Sequence, residues 1–290
     1  MLHSPSPMAP DLPPDDDHAA LAACAAHGGA LCTVVRIDGS WSRRLGAQLA
    51  VLPDGTTRGS LADGCLESAL VAEAMAGGPA RVLRYGQGSP FLDIRLPCGS
   101  GIEVALEPAP DQAALQAVQA QLAARQPAAL DIAAAGFKRR YLPRLRLLAL
   151  GSGPELATLA RMAAGTGIDV LSGVPQGEAG DFTLSLGQPP RLPAGWQPDA
   201  QTAVAVLFHD HEWERTLIPW ALRSQAFYVG AQGGARTRAS RLTHIAQQGL
   251  GEAALRRLHS PIGLIPAART PSVLALSVLA EVVAAYEAQC

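Results

Sequence analysis

An apolar run that ends in a glycine turn constrains the fold of this chain more than any other feature. Residues 145–150 read Leu-Arg-Leu-Leu-Ala-Leu, and Gly151-Ser-Gly153-Pro follows before a helical pattern begins. Buried parallel strands have this apolar character, and dinucleotide-binding folds open with this order of strand, glycines and helix. Gly151 allows a tight turn, Gly153 allows a ligand close to the backbone, and the helix start offers free N–H groups to an anion.

The same region lacks a feature of sheets that bind nicotinamide cofactors. Such sheets place an acidic residue about 20 positions after the glycine turn, at the end of the second strand, where it binds a ribose hydroxyl. The second strand is predicted at residues 167–171, and the following Ser172-Gly-Val-Pro contains no acid. Asp169 lies inside the strand, which is too early. The pattern favours the fold and argues against NAD.

The composition favours packed domains and excludes several classes of function. The chain has 290 residues, 48% hydrophobic and 17% charged, which suits two domains with buried cores. A net charge of −2 gives no general attraction to nucleic acid, and no apolar run is long enough to cross a membrane. Five widely spaced cysteines without a pairing pattern favour reduced thiols in a cytoplasm.

The order of strand, helix and turn signals divides the chain into segments. Residues 1–17 are rich in proline and acid and are predicted to be a disordered tail. Residues 18–108 are predicted to form a small mixed α+β domain, and residues 109–140 a helical linker. Residues 141–290 alternate strands with helices, which predicts a Rossmann-like doubly wound parallel sheet. The predicted fold class is therefore α/β.

Several motifs follow one another in the order known from one family. The first half contains Gly39-Ser-Trp-Ser-Arg43-Arg44 and, later, Gly64-Cys65-Leu-Glu67. The second half contains, in order, Gly151-Ser-Gly-Pro, His209-Asp-His211, Tyr228-Val-Gly230 and His259-Ser-Pro-Ile-Gly263. Together these motifs span most of residues 30–285, and in this order they resemble the xanthine dehydrogenase accessory family, XdhC/CoxI.

The resemblance implies a cytoplasmic cofactor chaperone and not an enzyme. Such a protein binds molybdenum cofactor (molybdopterin, as a mono- or dinucleotide form) and protects it while a cysteine-desulfurase-type sulfurase acts on it. It then helps to insert the cofactor into a molybdenum hydroxylase client, and we expect it to be a homo-oligomer, specifically a homodimer. An NAD(P)-dependent oxidoreductase and a ligand-free interaction scaffold are the alternatives. The residues expected to contact the cofactor are Arg43, Arg44, Gly64, Cys65, Glu67, Cys98, Gly151, Gly153, His209, Asp210, Gly230 and Arg236.

Cys65 is the residue expected to face the metal. It stands after Gly64 at the predicted start of a helix over residues 66–75, and a thiol at a helix N-terminus has a lowered pKa. A thiolate is a soft ligand, which suits thiophilic molybdenum. The alternative is a small buried packing residue, which is the usual role of a free cysteine. Cys98 lies in a predicted loop and is either a second thiol of the site or an ordinary loop residue.

Polar residues at three predicted junctions complete the candidate site. His209-Asp210-His211 follows a predicted strand, where open α/β sheets bind ligands. Their spacing gives an incomplete metal site, so helix capping by Asp210 is the preferred interpretation. Arg43 and Arg44 after one glycine turn, and Arg236 after another, suit a phosphate or oxyanion, although exposed surface positions are an equal alternative. An apolar stripe on the last helix, from Leu274 to Val282, indicates either core or a dimer contact.

Overall fold

The computed structural model of the chain describes residues 18–61, 64–89 and 101–289, with the backbone alone at residues 65, 235 and 236. It divides into two units, one that ends at Pro143 and one that begins at Arg144. The predicted tail over residues 1–17, a strand predicted at residues 92–96 and Cys98 lie outside the described residues.

The first unit is built on an antiparallel sheet. Its elements are α1 (Ala19–His27), β1 (Ala30–Asp38), β2 (Gln48–Val51), β3 (Thr57–Gly59), α2 (Cys65–Met75), β4 (Arg81–Gly86), β5 (Gly101–Glu107), α3 (Gln112–Ala123), β6 (Ala128–Ile132), a 3-10 turn (Ala133–Ala135) and β7 (Phe137–Tyr141). Five strands pair in the order β3-β2-β1-β5-β4. This is the small mixed α+β fold that the sequence predicts.

Both faces of this sheet are covered, which explains the continuous apolar run of β1. Leu31 packs on one face with residues of α1 and α3, whereas Cys32 and Val34 pack on the other with Leu66 and Leu70 of α2. An antiparallel strand with one wet face alternates apolar and polar residues, but a strand buried on both faces does not. The short run Ala30–Val34 is accordingly buried at every position.

The predicted helical linker contains more structure than the sequence indicated. Helix α3 is present, and Asp111 caps it by accepting from the N–H of Ala113 at 2.9 Å. After it, β6 and β7 form an antiparallel hairpin whose Leu130 and Ile132 are buried in the core of the first unit. The hairpin was not predicted because buried and exposed residues alternate over only five positions of an alanine-rich segment.

The second unit is a parallel sheet with helices on both faces. Its elements are β8 (Arg146–Gly151), α4 (Gly153–Ala164), β9 (Asp169–Pro175), β10 (Phe182–Leu184), β11 (Thr202–Leu207), α5 (His211–Arg223), β12 (Tyr228–Ala231), α6 (Ala235–Gln247), α7 (Glu252–Leu255), β13 (Leu258–His259) and α8 (Pro271–Glu287). The strand order is β10-β9-β8-β11-β12-β13, with every pair parallel. This is the order of dinucleotide-binding folds, so the predicted Rossmann-like sheet is confirmed.

Two cores flank the parallel sheet. Helices α4 and α8 cover one face, and α5 and α6 cover the other with Leu217, Ile218 and Ile245. The predicted stripe of α8, which includes Leu274 and Val278, lies in the first of these cores and is therefore core. Within the described part of the chain, no helix combines the length and apolar character needed to span a membrane.

Candidate functional site

The second unit brings four of the predicted residues to one edge of its sheet. Strand β8 lies in the middle, and the chain leaves it toward β9 on one side and later returns to β11 on the other. Ligands of open α/β sheets bind in the crevice outside such a reversal of strand order. Gly151 pairs with Leu207 at the ends of β8 and β11, so Gly153 after β8 and His209-Asp210 after β11 follow at the same edge.

The two glycines of the turn have different structural roles. A Cβ at Gly151 would lie 2.6 Å from the carbonyl oxygen of Leu207, so glycine is required for the close approach of β11. Gly153 has a φ of 74°, a left-handed conformation that favours glycine, and space for a Cβ is not the constraint there. Gly151 therefore serves the packing of the sheet, and Gly153 shapes the start of α4.

Replacing Gly151 by alanine is expected to lower the free energy of unfolding by about 1–3 kcal/mol, because a clash with backbone atoms forces the strands apart. Urea unfolding followed by circular dichroism measures the change. Gly234→Ala is the matched control, since its φ is −96° and nothing lies within 4 Å of a Cβ there. Equal stability of the Gly151→Ala and Gly234→Ala proteins would contradict the packing role.

An acidic residue does follow the second strand, contrary to the expectation from the sequence. Strand β9 continues to Pro175 because Gly173 and Val174, which read as a turn, pair with Phe182 and Thr183 of β10. Glu178 comes three residues after this end, and its Oε2 accepts from the N–H of Gly153 at 3.3 Å. The argument against a nucleotide, which depended on the absence of an acid after the second strand, therefore no longer holds. The carboxylate of Glu178 lies at the start of α4.

The three polar residues after β11 each have a different partner. Nε2 of His209 lies 4.0 Å from Oε1 of Glu155, and Nδ1 of His211 lies 3.2 Å from Oε2 of Glu214. Asp210 accepts from the N–H of Glu212 at 2.9 Å and so caps α5, which confirms the capping interpretation. Among residues 18–61, 64–89 and 101–289, no three His, Cys, Asp or Glu side chains form a group that could hold a metal ion.

A third histidine–carboxylate pair lies at β13, and the sequence alone gave it no role. Glu281 of α8 accepts from Tyr228 Oη at 2.6 Å and from the N–H of Gly263 at 2.6 Å, and lies 3.0 Å from Nδ1 of His259. Burial favours a higher pKa for Glu281, but the hydrogen bonds from His259, Tyr228 and Gly263 outweigh it and hold that pKa below its usual value. The motif His259-Ser-Pro-Ile-Gly263 was the available signal.

Gly230 lies beside this motif and is a packing position. It pairs with His259 in the sheet, and a Cβ there would lie 2.3 Å from Cδ1 of Ile262. Glycine at this position therefore allows the segment after β13 to pack against β12. Arg236 lies in the first turn of α6, and its side chain is outside the described atoms.

The first unit holds the other predicted residues around the start of α2. Oε1 of Glu67 accepts from Ser60 Oγ and from the N–H of Leu61, each at 3.0 Å. Arg43 donates from Nη2 to Ser60 Oγ at 3.1 Å. Glu67 thus ties the preceding loop to the helix on which Gly64 and Cys65 stand. Arg43, Ser60 and Glu67 form one hydrogen-bonded group, and Arg44 is an exposed residue of the same turn.

Two cysteines in the described part of the first unit, Cys24 and Cys32, are buried free thiols. Burial raises the pKa of the Cys24 thiol and of the Cys32 thiol to about 12, so both stay protonated at neutral pH. Cys24 also donates from Sγ to the carbonyl oxygen of Ala30 at 3.5 Å. Cys24 and Cys32 are therefore packing residues of the two cores of the first unit.

Comparisons with known proteins match both units. Residues 147–282 match the XdhC Rossmann domain, and residues 23–86 match the XdhC and CoxI family. The chain is 36% identical over 276 residues to the molybdenum cofactor insertion chaperone PaoD of Escherichia coli (strain K12). The alignment covers 88% of this chain and 82% of PaoD. It is 29% identical over 156 residues to a probable xanthine dehydrogenase subunit of Bacillus subtilis (strain 168), or 51% of this chain and 44% of that one.

A solved structure shares the fold. The crystal structure of a xanthine dehydrogenase from Bacillus halodurans superposes with a TM-score of 0.70, covering 93% of this chain and 95% of the other. The two sequences are 20% identical, so this similarity shows the fold alone.

Proposed function

Because this chain belongs to the XdhC and CoxI family, we propose that it binds molybdenum cofactor and holds it for sulfuration and for insertion into a xanthine-dehydrogenase-type molybdenum hydroxylase. The observation that carries the proposal is the similarity to PaoD, a cofactor insertion chaperone, over 88% of the chain. The chain therefore acts as a chaperone and not as an enzyme, and the cofactor is its cargo.

The described residues suit a ligand that combines an anion with a soft metal. The start of α4, where Gly153 has no side chain, presents backbone N–H groups to a phosphate. In the first unit, Arg43 lies in the hydrogen-bonded group at the start of α2, the helix that begins with Cys65. Within the second unit, we assign a phosphate to the glycine turn. Within the first unit, we assign an oxyanion to Arg43 and the molybdenum or its sulfur to Cys65.

The test is expression of the full chain together with the enzymes of cofactor biosynthesis. The purified protein should carry molybdenum and an oxidisable pterin in equal amounts, measured by elemental analysis and by fluorescence of the oxidised pterin. Mixed with a cysteine-desulfurase-type sulfurase and an apo-hydroxylase, it should restore hydroxylase activity. Tight NADH binding with hydride transfer to an acceptor would establish the oxidoreductase instead. Purification without any ligand, and no thermal shift with pterins or nucleotides, would favour a scaffold.

Location and assembly are part of the same proposal. We place the protein in the cytoplasm, where the cofactor and the reduced Cys65 would both be available. We also propose a homodimer, and sedimentation velocity of the full chain measures it directly. A monomer at all concentrations would contradict the proposed dimer but not the proposed cofactor binding.

Glu178 is expected to oppose a phosphate at the glycine turn. Its carboxylate accepts from the N–H of Gly153 and carries the same charge sign as the ligand, so a phosphate must displace it. Replacing Glu178 by glutamine should strengthen the binding of pyrophosphate several-fold, because one like-charge interaction is worth up to about 1 kcal/mol at an exposed site. Calorimetry measures the affinity.

The exposed Glu252 of α7 provides the control for Glu178, since Glu252→Gln makes the same charge change elsewhere in the second unit. If the Glu178→Gln protein instead binds nucleosides more weakly than the parent, Glu178 binds ribose hydroxyls and the phosphate assignment is wrong.

A further inference from the structure

A groove between α5 and α6 forms a cavity of about 610 Å³ on one face of the second unit. This volume lies in the range of small-molecule sites. Besides the Glu214–Arg241 pair, the polar lining comes from His211 and Arg215 of α5 and from residues of α6, namely Thr237, Ser240, Thr243, His244 and Gln247. The remaining wall is partly apolar, with Ile218 and Ile245 among its members.

A buried ion pair forms one wall of the groove and fixes its geometry. Arg241 donates from Nη2 to Glu214 Oε1 at 2.7 Å and from Nε to Glu214 Oε2 at 3.2 Å, and both side chains are more than nine-tenths buried. Arg241 also donates to Gln232 O at 2.7 Å and to Ser260 Oγ. The two opposite charges compensate each other, so the pair adds no net charge to the groove. Its hydrogen bonds hold α5 and α6 in a fixed relative position.

Glu214 also orients the imidazole of His211. Nδ1 of His211 lies 3.2 Å from Glu214 Oε2, whereas the His211 side chain is 60% exposed. With Nδ1 directed to the carboxylate, Nε2 is the ring nitrogen left for a ligand. Histidines that bind metals use the same arrangement, in which a carboxylate accepts from one ring nitrogen and so orients the other toward the ligand.

The charge of the groove favours an anion. Among the described residues that line the groove, the carboxylate of Glu214 is neutralised by Arg241, and the guanidinium of Arg215 is available to a ligand. Arg215 has an exposed partner, Glu212, at 3.4 Å, and such surface pairs are weak enough to be exchanged for a ligand. A phosphate monoester has acceptor oxygens for Arg215, Thr237 and Ser240. Its second pKa is about 6, so near neutral pH the phosphate can carry or release a proton and can form a hydrogen bond with Nε2 of His211.

We infer that the α5–α6 groove is a binding site for a small organic phosphate, held by Arg215, His211 and the hydroxyls of Thr237 and Ser240. The phosphate lies against Arg215 and Nε2 of His211, and the organic part lies on the apolar wall. Glu214 and Arg241 act as positioning residues. This site does not depend on the proposed cofactor function, since none of its contacts involves a pterin or molybdenum.

The experiment is calorimetric titration of the full chain with AMP, inorganic phosphate and a poly-glutamate peptide. We expect saturable binding of AMP, weaker binding of inorganic phosphate because the apolar wall is left uncovered, and no binding of the peptide. Arg215→Gln and His211→Gln should each weaken AMP roughly tenfold or more, which is the usual effect of losing a charge-assisted hydrogen bond. Thermal melting of each variant verifies that it is folded.

Arg256→Gln is the matched control, because Arg256 is an exposed arginine that directly follows α7 and lies outside the groove. The inference is overturned if AMP does not saturate, or if Arg256→Gln weakens AMP as much as Arg215→Gln does. Equal affinity for AMP and inorganic phosphate would show that the organic part of the ligand contributes nothing to binding, which also overturns the inference. Binding of the peptide in place of AMP identifies an acidic partner protein and overturns it as well. Each of these outcomes is independent of whether the protein carries molybdenum cofactor.

Discussion

Replacing Cys65 by serine is expected to leave the melting temperature unchanged and to remove most of the molybdenum that co-purifies with the chain. Serine is similar in size to cysteine but lacks the soft sulfur ligand, and the position is the first residue of α2. Losing even an indirect partner of a metal site costs about 10–100-fold in affinity, so loss of a direct ligand should cost at least about tenfold. Elemental analysis of protein from matched expressions measures the retained molybdenum.

Two variants separate this effect from a general loss of thiols. Cys24→Ser removes a buried thiol of the first unit and should retain the cofactor, because Cys24 is packed in the core and protonated. Cys65→Ala should behave as Cys65→Ser does. If the Cys65→Ser protein keeps its molybdenum and activates the client hydroxylase fully, Cys65 is a packing residue. The metal contact would then have to be sought at Cys98 or at the Gly151 turn.

Replacing Glu214 by alanine should have the largest effect on stability. The carboxylate lies in the second unit with 6% of its side chain exposed and accepts two hydrogen bonds from Arg241. Its removal leaves the Arg241 guanidinium buried without a counter-charge, which typically costs about 3–5 kcal/mol. Chemical unfolding of the full chain, monitored by tryptophan fluorescence, gives the change in the free energy of unfolding.

Two comparisons identify the cause of that loss. Glu252→Ala, which breaks the exposed pair with Arg256, should cost no more than about 1 kcal/mol. The double variant Glu214→Leu with Arg241→Met should be more stable than Glu214→Ala, because it leaves no buried charge. If the double variant is as unstable as the single one, the loss comes from packing and not from the uncompensated charge.

The fold of the second unit could be predicted because its signals are local. The apolar run before Gly151 and the cap at Asp210 each depend on neighbours within a few residues, and the structure contains both the strand and the capped helix. The end of β9 could not be predicted in this way. Its continuation through Gly173 depends on pairing with Phe182, and a glycine followed by valine and proline has no strand signal of its own.

The candidate site was predicted by residue type but not by contact. Sequence motifs identified Arg43 and Glu67, but the hydrogen bonds that join them through Ser60 depend on how the loop before α2 folds. Glu178 and Glu281 were missed because neither stands in a recognisable pattern, and each meets its partner only after distant segments pack together. Glu281 is 18 residues from Gly263 and Glu178 is 25 residues from Gly153, and pairs this far apart leave no recognisable spacing in the sequence.

The β6–β7 hairpin determines when the first unit can finish folding during synthesis. Tyr141, the last residue of β7, donates its hydroxyl to Gln48 Oε1 at 2.6 Å across 93 residues of chain. At translation rates of about 5–20 residues per second, those residues take roughly 5–20 s to be made. For that time the core that residues of α1 and β1 share with the hairpin is incomplete, so holding chaperones can bind its apolar residues on the ribosome until β7 emerges.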